Sequence, residues 1–134
     1  MTKLLDVEGI GAVYAEKLQA GGISTTETLL EKGATPKGRV ELSDKTGISP
    51  ALILRWVNHV DLFRIKGVAG QYAELLEAAG VDTVPELAQR NAASLHQKLA
   101  ATNQQRKCVR QLPTRTQVES WVEQAKKLPR LITY

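Results

Sequence analysis

Val7-Glu-Gly-Ile-Gly-Ala-Val-Tyr-Ala-Glu-Lys-Leu-Gln-Ala-Gly-Gly-Ile23 returns 58 residues later as Ile65-Lys-Gly-Val-Ala-Gly-Gln-Tyr-Ala-Glu-Leu-Leu-Glu-Ala-Ala-Gly-Val81. Gly9/Gly67, Tyr14/Tyr72, Ala15/Ala73, Glu16/Glu74, Leu18/Leu76, Ala20/Ala78 and Gly22/Gly80 are identical, and Thr25/Thr83 and Leu29/Leu87 keep the register. Self-similarity of this kind means one structural unit used twice. Each copy also closes alike, since Ser49-Pro-Ala-Leu-Ile-Leu-Arg-Trp-Val57 matches Thr114-Arg-Thr-Gln-Val-Glu-Ser-Trp-Val122, now at an offset of 65. The second copy is therefore seven residues longer, and the extra length falls at residues 104–113.

The local signals around the repeat are helical. Ser24-Thr-Thr-Glu27 and Thr83-Val-Pro-Glu86 have the spacing of capping boxes, a hydroxyl followed three residues on by glutamate. Thr35-Pro36 and Ser49-Pro50 put a capping hydroxyl before a proline at the first helical position. Gly22, Gly47 and Gly80 stand where helices end in a left-handed residue. Leu52, Ile53, Trp56, Val57 and Val60, and then Val118, Trp121, Val122 and Ala125, recur at helical spacing. No segment alternates with period two for long enough to form a strand. The expectation is an all-α fold of about four short helices per copy, divided at 1–64 and 65–134. Trp56 and Trp121 should anchor the two cores.

Composition narrows the functional classes. The chain has 134 residues, 43% of them hydrophobic and 24% charged, which is ordinary for a packed domain. No apolar run reaches the roughly 18–20 residues of a membrane span, so no membrane association is expected. The opening Met1-Thr-Lys-Leu-Leu-Asp6 lacks the pattern of a secretory signal. Cys108 is the single cysteine, so an internal disulfide is impossible and a reducing, cytoplasmic setting is expected. His59 and His96 have no cysteine or carboxylate at metal-ligand spacing, and no phosphate loop or nucleophile set is present. No enzyme activity, metal or cofactor is expected.

The stretch Val7-x-Gly9-Ile10-Gly11-x-x-x-Ala15-x-x-Leu18 turns sharply between two helices, plugs an apolar residue into the core, and opens the second helix with outward amides suited to an anion. Here the sequence resembles the helix-hairpin-helix superfamily, and over nearly its whole length a bacterial family of uncharacterised tandem helix-hairpin-helix proteins. The marks are the Gly-Ile-Gly11 turn, Lys-Thr-Gly47-Ile, Leu-Arg-Trp-Val57, Asp61-Leu-Phe-Arg-Ile-Lys-Gly67 and Leu-Leu-Glu-Ala-Ala-Gly-Val81. The resemblance implies two tandem helix-hairpin-helix repeats, and for the superfamily a common capacity to bind duplex DNA without sequence preference. The second copy departs from the pattern, with Ala69 in place of the second glycine, so its turn is expected to present its amides differently.

Charge is the other signal. From Met1 to Lys66 nine basic residues face eight acidic ones, whereas from Arg90 to Arg130 nine basic residues face only Glu119 and Glu123. The inserted stretch carries Arg106, Lys107 and Arg110 without an acid, in a basic run that extends to Lys98 and Arg115. An insertion into a duplicated fold lies on the surface, where function concentrates. The candidate nucleic-acid contacts are thus Gly9, Gly11, Lys66, Gly67, Lys98, Arg106, Lys107, Arg110 and Arg115. Two readings remain open: a non-enzymatic accessory protein that contacts duplex DNA through its phosphates, and a protein-interaction or assembly module. Glu8 beside the first turn favours the second, and the basic insertion favours the first.

Overall fold

The structure is a computed structural model and describes residues 3–134. A single 3-10 turn at Leu4–Asp6 leads into α1 (Ala12–Ala20), α2 (Thr26–Gly33), α3 (Pro36–Thr46) and α4 (Pro50–Leu62), then α5 (Gly70–Ala78), α6 (Val84–Ala88), α7 (Ala92–Arg106) and α8 (Arg115–Lys127). No strand forms among the described residues; one isolated antiparallel bridge pairs Lys3 with Thr25. The fold is all-α, as expected. Two compact units result, Met1–Asp61 together with Leu131–Tyr134, and Leu62–Arg130. The last four residues, which chain order alone would leave with the second unit, belong to the first.

Both units open on the same hydrogen bonds. Val7 N–H donates to Leu4 O (3.1 Å), Ile10 N–H to Val7 O (3.1 Å) and Ala15 N–H to Gly11 O (2.9 Å). Ile65, Val68 and Ala73 do the same to Leu62, Ile65 and Ala69 at 3.1, 3.1 and 2.9 Å. The helices that follow end alike: Gly22 N–H reaches Gln19 O and Ile23 N–H reaches Leu18 O, matched by Gly80 to Glu77 and Val81 to Leu76. This is the paired closure of a Schellman end.

The two glycines of the first turn are not equivalent. Gly9 has φ +93 and Gly67 has φ +95, a region that residues with a Cβ avoid. Gly11, by contrast, is extended (φ −90, ψ −176) with open space where a Cβ would stand. Ala69 adopts the same conformation in the second copy (φ −117, ψ −175). The expectation that Ala69 alters the second turn is therefore corrected, because its position never required glycine.

A second reason for glycine at the first position is the indole behind it. A Cβ on Gly9 would lie 3.4 Å from Nε1 of Trp56, and one on Gly67 would lie 3.1 Å from Nε1 of Trp121. Gly9→Ala and Gly67→Ala should each destabilise by about 1–2 kcal/mol from backbone handedness alone, with the tighter contact adding to the cost at Gly67. Gly11→Ala should stay within about 0.5 kcal/mol of the parent. Denaturant melts compare the three directly, and equal costs at Gly9 and Gly11 would contradict this account.

Capping differs from the sequence expectation in detail. Thr25, not Ser24, caps α2, accepting from Thr28 N–H (3.2 Å), and Thr83 makes no side-chain cap at α6. Thr35 and Ser49 cap as expected, accepting from Gly38 and Leu52. The reciprocal capping box that does form joins Thr114 and Gln117 at the start of α8.

Each unit buries its own tryptophan. Trp56 is fully buried with Tyr14 edge-on at 5.1 Å, and Trp121 is 2% exposed with Tyr72 tilted against it at 5.3 Å. Around Trp56 the first unit buries Leu18, Leu29, Ile53 and Val57; around Trp121 the second buries Leu76, Leu87, Leu99 and Val118. Both tryptophans are anchors, as the sequence indicated. One core position differs in kind. Arg39 is the fourth residue after the N-cap of α3 and is buried, where the fourth residue after the N-cap of α7 is Leu95. Burial lowers the pKa of its guanidinium, with Tyr134 opposing the shift, and an arginine so shifted remains cationic at neutral pH.

Candidate nucleic-acid interface

The extra length of the second copy is shared between a helix and a loop. α7 has 15 residues against 11 in α3, and eight residues (107–114) separate α7 from α8 where three (47–49) separate α3 from α4. The insertion at 104–113 is not all loop: its first three residues extend α7. Gln and Arg are good helix formers, so Gln104, Gln105 and Arg106 continue the helix that precedes them.

The loop is tied down at three places. Asn103 clamps Val109 from both sides, its Nδ2 donating to Val109 O and its Oδ1 accepting from Val109 N–H, each at 3.0 Å. Tyr72 donates its hydroxyl to Gln111 O (3.1 Å), and His96 Nε2–H donates to Pro113 O (3.1 Å). Val109 and Pro113 turn inward and are buried, while Cys108 is half-buried against the core. With these residues turned inside, Lys107 and Arg110 are left facing solvent.

Lys107 is unusual. It ends α7 in the left-handed region (φ 52), the only non-glycine residue to do so among the described residues, and its N–H donates to Asn103 O at 2.8 Å. The matching end of α3 uses Gly47 (φ 74) and makes the same bond to Ser43 O, also 2.8 Å. A side chain in this conformation costs on the order of 1 kcal/mol relative to glycine. The fold therefore gives up stability to keep a lysine here.

The candidate residues separate into groups. Arg106, Lys107 and Arg110 are brought together on one short, exposed segment, and among the described residues none of them makes an ion pair or side-chain hydrogen bond. Arg115 opens α8 and pairs with Glu119 at 3.3 Å, both side chains more than half exposed. Such an exposed pair is worth about 0–1 kcal/mol, so a phosphate can compete for it. Lys98 lies about 12 Å back along α7. Its Nζ and the guanidinium of Arg90 flank Gly80 at the carboxyl end of α5, a helix-dipole position that accounts for its charge without a ligand.

Lys66 is exposed beside Gly67, and its peptide is gripped by Gln124, which accepts from Lys66 N–H (2.8 Å) and donates to Lys66 O (3.3 Å). Gly9, Gly11 and Gly67 are likewise exposed. Neither α1 nor α5 has a side-chain cap, so each turn leads to first-turn amides that no side chain satisfies. A surface cleft of about 370 Å³ bordered by Arg90, Asn91, Glu119, Glu123 and Lys126 carries both signs of charge and favours no anion. Among the described residues no cluster of His, Cys, Asp and Glu could hold a metal ion, and no helix is long and apolar enough to cross a membrane.

Both turns and the basic loop lie inside residues 8–128, which match the family model for a domain of unknown function, DUF4332. The chain belongs to that family. No curated protein and no solved structure matches it. The DUF4332 match ends before residues 131–134, the segment that packs in the first unit.

Proposed function

We propose that this DUF4332 protein is a pair of helix-hairpin-helix repeats that binds duplex nucleic acid without sequence preference, as a non-enzymatic accessory factor. The observation that carries the reading is the basic loop. Three exposed cations stand free of acidic partners, Arg106 at the end of α7 and Lys107 and Arg110 on a loop held at Val109, Gln111 and Pro113, and Lys107 keeps a conformation that glycine would adopt more cheaply. Pre-ordering of this kind lowers the entropy lost when long side chains meet a ligand. The uncapped turns at Gly9–Ile10–Gly11 and Gly67–Val68–Ala69 supply amide N–H groups of the sort that donate to phosphate oxygens, with Lys66 beside the second. Contacts to phosphates position a protein on DNA without reading its sequence.

The experiment is a titration of labelled duplex DNA at two salt concentrations. Four cationic contacts, from Arg106, Lys107, Arg110 and Arg115, give a log K against log salt slope of about −3 to −4. Affinity should then fall roughly 60- to 250-fold between about 50 and 200 mM salt. Absence of salt-dependent binding defeats the proposal. The competing reading, a protein-interaction module, is favoured by Glu8 beside the first turn and by Val13, which is 65% exposed one helical residue after it. It expects no duplex binding and loss of a protein contact when the loop is changed.

A further inference from the structure

The first unit holds a piece of chain that reaches it from far along the sequence, and it holds that piece in the manner of a receptor. Thr133 N–H donates to Ala34 O (2.8 Å), and Thr133 O accepts from Arg39 Nη2 (2.8 Å), so both main-chain groups of one residue are read. Arg39 is itself fixed by a bond from Nη1 to Gly33 O (2.9 Å). Ile132 is 2% exposed, which makes it the apolar plug. Tyr134 donates its hydroxyl to Asn58 Oδ1 (3.2 Å), and its ring lies 6.0 Å from the Arg39 guanidinium.

Nothing in the helix requires arginine at this place. Arg39 N–H donates to Thr35 O at 3.0 Å as Leu95 N–H donates to Asn91 O at 2.9 Å, and in the second unit leucine fills the position with core. The arginine is explained by what it grips, the Gly33 and Thr133 carbonyls. At the other end of the segment, Arg64 donates to Pro129 O (2.7 Å) within the second unit. Between the two held carbonyls the chain passes through exposed Arg130 and Leu131.

Main-chain pairing, one apolar pocket and one hydroxyl contact together recognise an extended segment whatever chain delivers it. We propose that the first unit is a docking site for the segment Leu-Ile-Thr-Tyr, filled by residues 131–134 of its own chain, and that the same segment of a second copy takes the site by exchange. Exchange keeps every contact and alters only the path through residues 130–131, so the two states differ little in contact energy. A tethered segment acts at an effective concentration of the order of mM, which favours the chain's own copy at low protein concentration. The inference stands apart from the nucleic-acid reading.

Two full-length variants test it as a complementary pair. Ile132→Asp leaves the site intact but spoils the segment, while Arg39→Leu spoils the site with the residue that the second unit already uses. Each alone should be monomeric by light scattering, and their mixture at about 100 µM, well below that effective concentration, should form a one-to-one complex. A labelled peptide of sequence Arg-Leu-Ile-Thr-Tyr should bind Ile132→Asp, bind the wild type at least about tenfold more weakly because the tethered segment competes, and disperse the complex. In Arg39→Leu the Thr133 amide should exchange hydrogen at least about tenfold faster than in the wild type, since its bond to Ala34 opens with the segment. If Ile132→Asp loses helical signal, Thr133→Pro replaces it, spoiling the segment by removing the N–H that donates to Ala34 O. A mixture that remains two monomers, a peptide that binds neither segment-spoiled variant, or a Thr133 amide unprotected in the wild type overturns the proposal.

Discussion

Trp56→Ala or Trp121→Ala will each destabilise the protein by about 3–5 kcal/mol, the cost of emptying a buried aromatic site. Neither indole has solvent to fall back on, with exposures of 0% and 2%. Each also meets a tyrosine ring and stands behind the glycine of its turn, so the void would open beneath the element that joins two helices. Set against a typical total of about 5–15 kcal/mol, either loss leaves a marginal protein. Guanidinium melts followed by helical circular dichroism measure it. A neutral substitution at either position would mean that the ring is not the anchor of its unit.

Changing Arg106, Lys107, Arg110 and Arg115 together to glutamine should abolish most of the salt dependence of duplex binding, removing about 3–4 units of slope. The fold should survive, because all four side chains are exposed and changes at such positions usually cost about 0.5 kcal/mol or less. The Arg115–Glu119 pair lost in the process is worth little. Measured isotherms for the variant and the parent at matched salt decide the matter. An unchanged slope would move the cationic contacts away from the loop.

The repeat made the helices legible, because glycine spacing, capping hydroxyls and helical periodicity all kept register between the copies. Which of two nearby glycines mattered was not legible, since Gly11 and Ala69 take an extended conformation open to any residue and only Gly9 and Gly67 need φ above zero. Charge counting placed the basic loop but not its scaffold. His96, Asn103 and Tyr72 reach main-chain oxygens 17, 6 and 39 residues away, and nothing in local spacing announces such bonds. The Glu119 partner of Arg115 was there to be read as an i,i+4 pair, four residues beyond the end of the basic run. Nothing in local sequence sets Arg39 apart from the other basic residues of the first copy, and only its cap-to-cap place in α3, opposite Leu95 in α7, marks it as a core position.

The most direct test of the central claim is a map of the duplex on the protein. Short random-sequence duplex DNA is added to isotope-labelled protein at low salt while each backbone amide is followed by NMR. The account expects the largest shifts at Arg106, Lys107, Arg110 and Gln111, with smaller ones at Ala12 and Val13 after the first turn and at Gly70 and Gln71 after the second, all reversed by added salt. Shifts that avoid the loop, or a spectrum unchanged by duplex, would contradict it.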